Sequence, residues 1–274
     1  MISPAYINNL ASIHPDITDV SLPYLTACEP DYKELIKNPT LRRRMSRIVK
    51  MGVACGLECI GETPKEEIHA IITATGLGCL ADTEKFMNNL LDNNEQLLNP
   101  TAFIRSTFNT VGAQIALICQ NQAYNVTYVH RGLSFESALI DSLLRLTEGD
   151  RNVLVGAFDE ITPTSHTIHE RMGMLRGTMA GEGAQYFLLS REKTEKSIAR
   201  IAAPLTFTKL HHTDKQTDAQ PETVKEKITG YLKSNGLSPQ DIELFICGKD
   251  GNTSQDAIYQ TIEELFSHAR CETF

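Results

Sequence analysis

Residues 125–160 read NVTYVHRGLSFESALIDSLLRLTEGDRNVLVGAFDE, and this stretch decides the fold. Asn125–His130 predicts a short strand. Ser134–Leu146 predicts an amphipathic helix, with Phe135, Ala138, Leu139 and Leu143 on its apolar face. Asn152–Phe158 (NVLVGAF) is an apolar run without polar alternation, the pattern of a strand buried on both faces in a parallel sheet. Between the first strand and the helix the chain must bend sharply around residues 130–134. A bend of that kind aims its apical residue outward at a helix N-terminus, where the dipole and N–H groups stabilise a thiolate or an oxyanion.

Working outward, the same alternation continues. Residues 41–60 predict a helix with Met45, Ile48, Val49, Gly52, Cys55 and Cys59 on one face and Thr40 as its cap. Ile68–Thr75 predicts a buried strand ending in the tight turn Gly76–Leu77–Gly78. Helices follow at Asp82–Leu91 and Ser106–Cys119. Gln185–Leu189 and Ile198–Phe207 read as further strand. The polar residues 210–222 read as a linker between an N-terminal part, 1–209, and a C-terminal part, 223–274. That second part predicts a helix at Thr223–Ser234, a strand at Ile242–Cys247 and a helix at Ser254–Phe266. Strands alternating with helices imply an α/β fold, a mainly parallel or mixed sheet layered with helices.

The formal charge is −8, from 26 Lys and Arg against 34 Asp and Glu, which argues against nucleic acid as a partner. The local exception is Arg42, Arg43, Arg44, Arg47 and Lys50. It reads either as a solvated helix face or as a docking patch for an acidic protein. No apolar run approaches the roughly 18 residues that cross a bilayer. The N-terminus lacks the basic and apolar regions of a signal peptide, so no membrane association and a cytoplasmic location are expected. Seven cysteines, at 28, 55, 59, 79, 119, 247 and 271, lack framework or zinc-finger spacing and read as reduced, mostly buried thiols. Cys79 reads as a structural thiol. His166, His169 and Glu170 in SHTIHE have ligand-like spacing but read as loop residues, and His211 and His212 as solvated. No metal, nucleotide or flavin is expected. Gly76-x-Gly78 lacks the third glycine and the acidic partner of a dinucleotide fingerprint.

Four segments, in order, resemble the ketosynthases, the thiolase-like condensing enzymes of fatty-acid and polyketide synthesis. Residues 75–91 (TGLGCLADTEKFMNNLL) resemble that family's glycine turn and following helix, and Pro100–Cys119 its next helix. Residues 125–160 resemble the nucleophile strand, elbow and acidic turn. Residues 180–190 (AGEGAQYFLLS) resemble the strand after it, with GEGA as a hallmark. Residues 237–258 (LSPQDIELFICGKDGNTSQDAI) are a weaker match to the opening of the second half, including an acidic residue, here Asp256. The resemblance implies a thiolase-like fold with an incomplete second half. It also implies a homodimer, or a heterodimer with an active ketosynthase, through the central strands and the helix before the elbow, and acyl carrier protein as a partner.

The match breaks where the chemistry lies. Counting back from Gly149, the family's cysteine nucleophile falls at Gly132, and residues 125–137 contain no cysteine in any register. The histidine of the second-half loop falls at Gly248, and no histidine occurs between Asn235 and Tyr259. The chain reaches Phe274 before the segment where the family carries its lysine and second histidine. Three expectations compete. The first is a non-condensing partner subunit, similar to the chain-length factors that assist active ketosynthases. The second is an acyltransferase or hydrolase of acyl thioesters using Ser134 with His130 as base. The third is a non-catalytic acyl- or carrier-binding module. Ser134 also occupies a helix N-cap position, so capping competes with any chemical role.

Overall fold

The computed structural model describes residues 4–19, 21–96, 98, 100–175, 177–202, 204–207, 224–249 and 253–273. They fall into two compact units: Met1–Arg171 with Met179–Pro204, and Met172–Thr178 with Leu205–Phe274. The expected linker at 210–222, with His211 and His212, lies outside the described residues.

In the first unit the elements run β1 (Ala5–Ile13), α1 (Tyr32–Leu35), α2 (Pro39–Arg44), α3 (Arg47–Ile60), β2 (Ile68–Ala74), α4 (Leu80–Asp92), α5 (Pro100–Ser106), α6 (Thr110–Cys119), β3 (Tyr124–Tyr128), α7 (Ser134–Glu148), β4 (Asn152–Asp159), α8 (Pro163–Arg171), β5 (Gly183–Ser190) and β6 (Ala199–Ile201). They build one six-stranded sheet, ordered β3-β2-β4-β5-β1-β6. β2 pairs parallel with β3 and β4, whereas β5 is antiparallel to both β4 and β1, and β1 is antiparallel to β6. The sheet is therefore mixed.

The uninterrupted apolar run of β4 has its physical explanation in two cores. Leu154 and Phe158 pack with α3 and α6 residues such as Ile48, Met51, Val111 and Ile115 on one face. Val153 and Val155 pack with Ala138, Leu143 and Leu146 of α7 on the other. β2 divides the same way, Ile71 to the first core and Ala70, Ile72 and Ala74 to the second. Each fully buried Val, Leu, Ile, Met or Phe side chain among them contributes about 1.5–3 kcal/mol.

The helix expected over residues 41–60 is in fact two. Met45 turns extended (φ −82°, ψ 138°) and ends α2, and Asn38 rather than Thr40 caps α2, its side chain accepting from Thr40 N and Leu41 N. α3 starts afresh at Arg47, with Ser46 at its N-cap position. β1 was not legible, because Asn8–Asn9 interrupts its apolar pattern and a register shift lies between Ile7 and Asn9. SHTIHE belongs to α8, not to a loop. β6 is shorter than the expected Ile198–Phe207 strand.

The second unit contains α9 (Val224–Ser234), β7 (Leu244–Cys247), α10 (Thr253–Leu265) and β8 (Arg270–Thr273). β7 and β8 form a parallel two-stranded sheet. Among the described residues, no helix is long and apolar enough to cross a membrane.

Candidate functional site

The bend lies between β3 and α7. Arg131–Leu133 form one 3-10 turn, and α7 begins at Ser134. Arg131 sits at φ +50°, a left-handed conformation unusual for a residue with a Cβ. The strain falls on Arg131 and not on Gly132. Among the described residues, a Cβ built on Gly132 would meet nothing within 4 Å, so neither the backbone nor any described neighbour requires glycine there.

Ser134 is 4% exposed. Its hydroxyl accepts from His130 N at 2.7 Å and faces the carbonyls of Thr75 (2.8 Å) and Arg131 (2.7 Å). Ser134 is the first residue of α7, and its side chain makes no capping bond to the helix. It ties the bend to the end of β2 instead. The His130 ring stands 3.5 Å from Ser137 Oγ, and the only bond between His130 and Ser134 runs through the His130 backbone. No hydrogen bond joins the His130 ring to the Ser134 hydroxyl, the two side chains that sequence reasoning put together as base and nucleophile.

Facing the bend is the glycine turn. Asp159, ending β4, accepts from Thr75 Oγ1 (2.8 Å), Gly76 N (2.9 Å) and Leu77 N (3.3 Å). Burial raises its pKa, and those donors oppose the shift. Thr75 Oγ1 in turn accepts from Gly78 N at 2.8 Å. Gly78 is at φ +74°, and a Cβ there would meet the Phe108 ring at 2.3 Å. Glu160 accepts from Ala81 N at the start of α4 (3.0 Å), and burial pushes its pKa up to about 7. Cys79 is buried and its thiol is pushed up to about 12 by that burial, which makes it a poor nucleophile.

The GEGA segment carries an interaction that sequence reasoning missed. The Glu182 side chain is fully buried and receives Arg47 through both terminal nitrogens, Nη1 at 2.9 Å and Nη2 at 2.5 Å. It also accepts from Ala27 N (3.0 Å) and Ile161 N (3.1 Å). Burial works to raise its pKa, yet Arg47 and the two amides outweigh it, so the net shift is downward. Arg47 also bonds Glu29. No local signal in the sequence links positions 135 residues apart.

Of the basic cluster, Arg47 is therefore held in an ion pair, and Arg42 donates to Ile36 O at 2.5 Å. Arg43 and Arg44 are exposed and in no ion pair among the described residues, and Lys50 is half-buried. His166 is buried beside Tyr24, ring centroids 5.2 Å apart. Among the described residues, His166, His169 and Glu170 do not converge as metal ligands; the group that does is Cys247, Glu263 and Cys271 in the second unit. Gly248 directly follows β7 there.

The family described as beta-ketoacyl synthase, N-terminal domain, matches residues 27–233. The chain belongs to this family. Three solved structures carry the likeness further, at identities that speak for the fold alone. A type II polyketide synthase acyl-carrier protein in complex with its ketosynthase bound to the hexaketide (AntDE:AntF) matches at TM-score 0.70 and 14% identity, over 99% of this chain and 84% of that one. The ishigamide ketosynthase/chain length factor matches at TM-score 0.67 and 13% identity, over 98% and 82%. The ketosynthase ApeO in complex with its chain length factor ApeC, from Xenorhabdus doucetiae, matches at TM-score 0.53 and 20% identity, over 68% and 78%. No curated protein matches the chain. The ketosynthase family member thus has the thiolase-like α/β fold expected of it.

Proposed function

We propose that this ketosynthase-family protein is a non-condensing partner subunit, acting in the cytoplasm with an active ketosynthase and an acyl carrier protein in fatty-acid or polyketide (polyene-type) synthesis. The observation that carries the reading is the elbow. It keeps the bend, the helix and the glycine turn, yet the middle of the bend is a glycine with no described residue within 4 Å of a Cβ placed on it, and no sulfur. An acyl transfer through cysteine needs a thiolate there. Open space without a nucleophile instead suits a wall that leaves room for a partner's acyl chain.

The edge of the sheet supports the same reading. β3 ends the strand order, so its outer edge is unpaired among the described residues. Beside it α6 leaves Leu117 68% exposed. An unpaired edge next to apolar surface is a template for a second chain. Homodimer and heterodimer both use it; the missing nucleophile favours a heterodimer with a cysteine-bearing ketosynthase. The cluster Arg42, Arg43, Arg44, Arg47 and Lys50 is the proposed carrier-docking face, with Arg43 and Arg44 carrying most of the attraction and Arg47 holding its helix in place.

Co-expression with a cysteine-containing ketosynthase tests the pairing: a one-to-one complex is expected, and a chain that elutes as monomer or self-dimer beside that ketosynthase contradicts it. Arg43→Glu with Arg44→Glu should weaken carrier-protein binding about tenfold at low salt, an effect that shrinks as salt rises. Unchanged carrier affinity in that double variant would remove the docking face.

A further inference from the structure

The second unit joins three potential ligands from three different elements. Cys247 ends β7, Cys271 lies in β8 and Glu263 lies on α10. Their sulfur and oxygen atoms all lie within 4.8 Å of one another. Glu263 Oε1 is 3.9 Å from Cys247 Sγ and 3.6 Å from Cys271 Sγ. A tetrahedral zinc-class cation, with bonds of about 2.3 Å to sulfur and about 2.1 Å to oxygen, separates its sulfur and oxygen ligands by roughly 3.6 Å. The observed spacing is close to that figure.

Strand register separates this arrangement from a disulfide. Cys271 pairs with Phe245 and Cys247 with Thr273, so the cysteines share a face but are offset diagonally by two residues. With parallel strands about 4.8 Å apart and a rise of about 3.3 Å per residue, a two-residue offset separates the Cα atoms by roughly 8 Å, and a disulfide tolerates no more than roughly 7 Å without backbone movement. A metal ion bridges that diagonal without moving the strands. Charge points the same way. Lys249 Nζ lies 2.5 Å from Glu263 Oε1. Two thiolates, one carboxylate and a divalent cation sum to −1, which the Lys249 ammonium offsets.

The unit also has a physical use for such a staple. Its buried apolar residues among those described are Leu232, Cys247 and Phe266, and its sheet is two strands of four residues each. A two-stranded sheet over so thin a core is marginal in water.

We infer that Cys247, Cys271 and Glu263 form a binding site for a thiolate-preferring divalent metal of the zinc class, which fastens β8 to β7 and α10. On binding, the two thiols release their protons to solvent, the sulfurs and one carboxylate oxygen bond the ion, and a fourth position remains for water. This departs from the sequence expectation of no metal, and it stands independently of the partner-subunit reading.

The test uses the full chain, stripped with a chelator and titrated with cobalt(II). One ion per chain, a thiolate-to-cobalt charge-transfer band and displacement by zinc are expected. Cys271→Ser, at an exposed position that leaves the fold intact, should weaken binding on the order of 100-fold and abolish the band. Glu263→Gln should weaken it about tenfold, and Cys28→Ser, at the other exposed cysteine, should leave it unchanged. Zinc should raise the thermal midpoint of the native chain and not that of Cys271→Ser. Absence of stoichiometric uptake, uptake indifferent to Cys271→Ser, or a Cys247–Cys271 disulfide formed in its place would overturn the site.

Discussion

Gly156 and Gly132 lie in the same α/β framework and have opposite surroundings. Gly156, in the middle of β4, sits opposite Tyr186 of β5. A Cβ added there would meet the Tyr186 ring at 2.3 Å and the Gln185 carbonyl at 2.5 Å. Gly132, at the bend, has nothing within 4 Å of such an atom among the described residues. The first glycine is demanded by packing; the second leaves space that the fold does not need. A position that packing leaves free is where function, rather than stability, chooses the residue.

Three substitutions probe that contrast. The largest effect belongs to Gly156→Ala, because both the Tyr186 ring and a backbone carbonyl would have to move. It should lower stability by about 3 kcal/mol in chemical denaturation; a loss under about 1 kcal/mol would show that β4 and β5 yield more easily than the geometry implies.

Between the two glycines in effect lies Glu160, beside the glycine turn. Its pKa is raised from 4.5 to about 7, chiefly by burial. A carboxyl with a raised folded pKa favours the folded state most fully below its unfolded value. That contribution declines as pH rises from about 4.5 to about 7, then stays lost. Glu160→Gln keeps an acceptor for Ala81 N and removes the buried charge. The variant should be more stable than the native chain at pH 8, by on the order of 2 kcal/mol, and nearly equal at pH 4.5. Equal stability at both pH values would mean that water reaches the carboxylate.

The smallest effect on stability is expected for Gly132→Cys, within about 0.5 kcal/mol, because the side chain enters open space. The new thiol should react with iodoacetamide faster than the buried thiols Cys55, Cys59 and Cys79, whose pKa values burial pushes up to about 12. Failure to label would place the apex out of solvent's reach.

Residues 125–160 were legible because their signals are local. A double-faced apolar strand, a helix with a clear apolar stripe and a bend between them each follow from adjacent residues. β8 was not legible, since all four of its residues are exposed and no alternation marks them. At the site, the missing cysteine could be read from sequence in any register. Arg47 on Glu182 could not, nor could the meeting of Cys247, Glu263 and Cys271, since each depends on elements that only the fold brings together. Ser134 shows the remaining difficulty. Its position named a cap or a nucleophile, and the bond its hydroxyl makes to Thr75 O, just past β2, could not be read from local sequence.

The most direct test of the central claim is a condensation assay with malonyl- and acyl-loaded carrier protein, run with this chain alone, a cysteine-containing ketosynthase alone, and both together. The chain alone should release no carbon dioxide and extend no acyl group. Together, the pair should extend chains faster, or to a different length, than the ketosynthase alone. Condensation by the isolated chain, or products indifferent to its presence, would contradict the account.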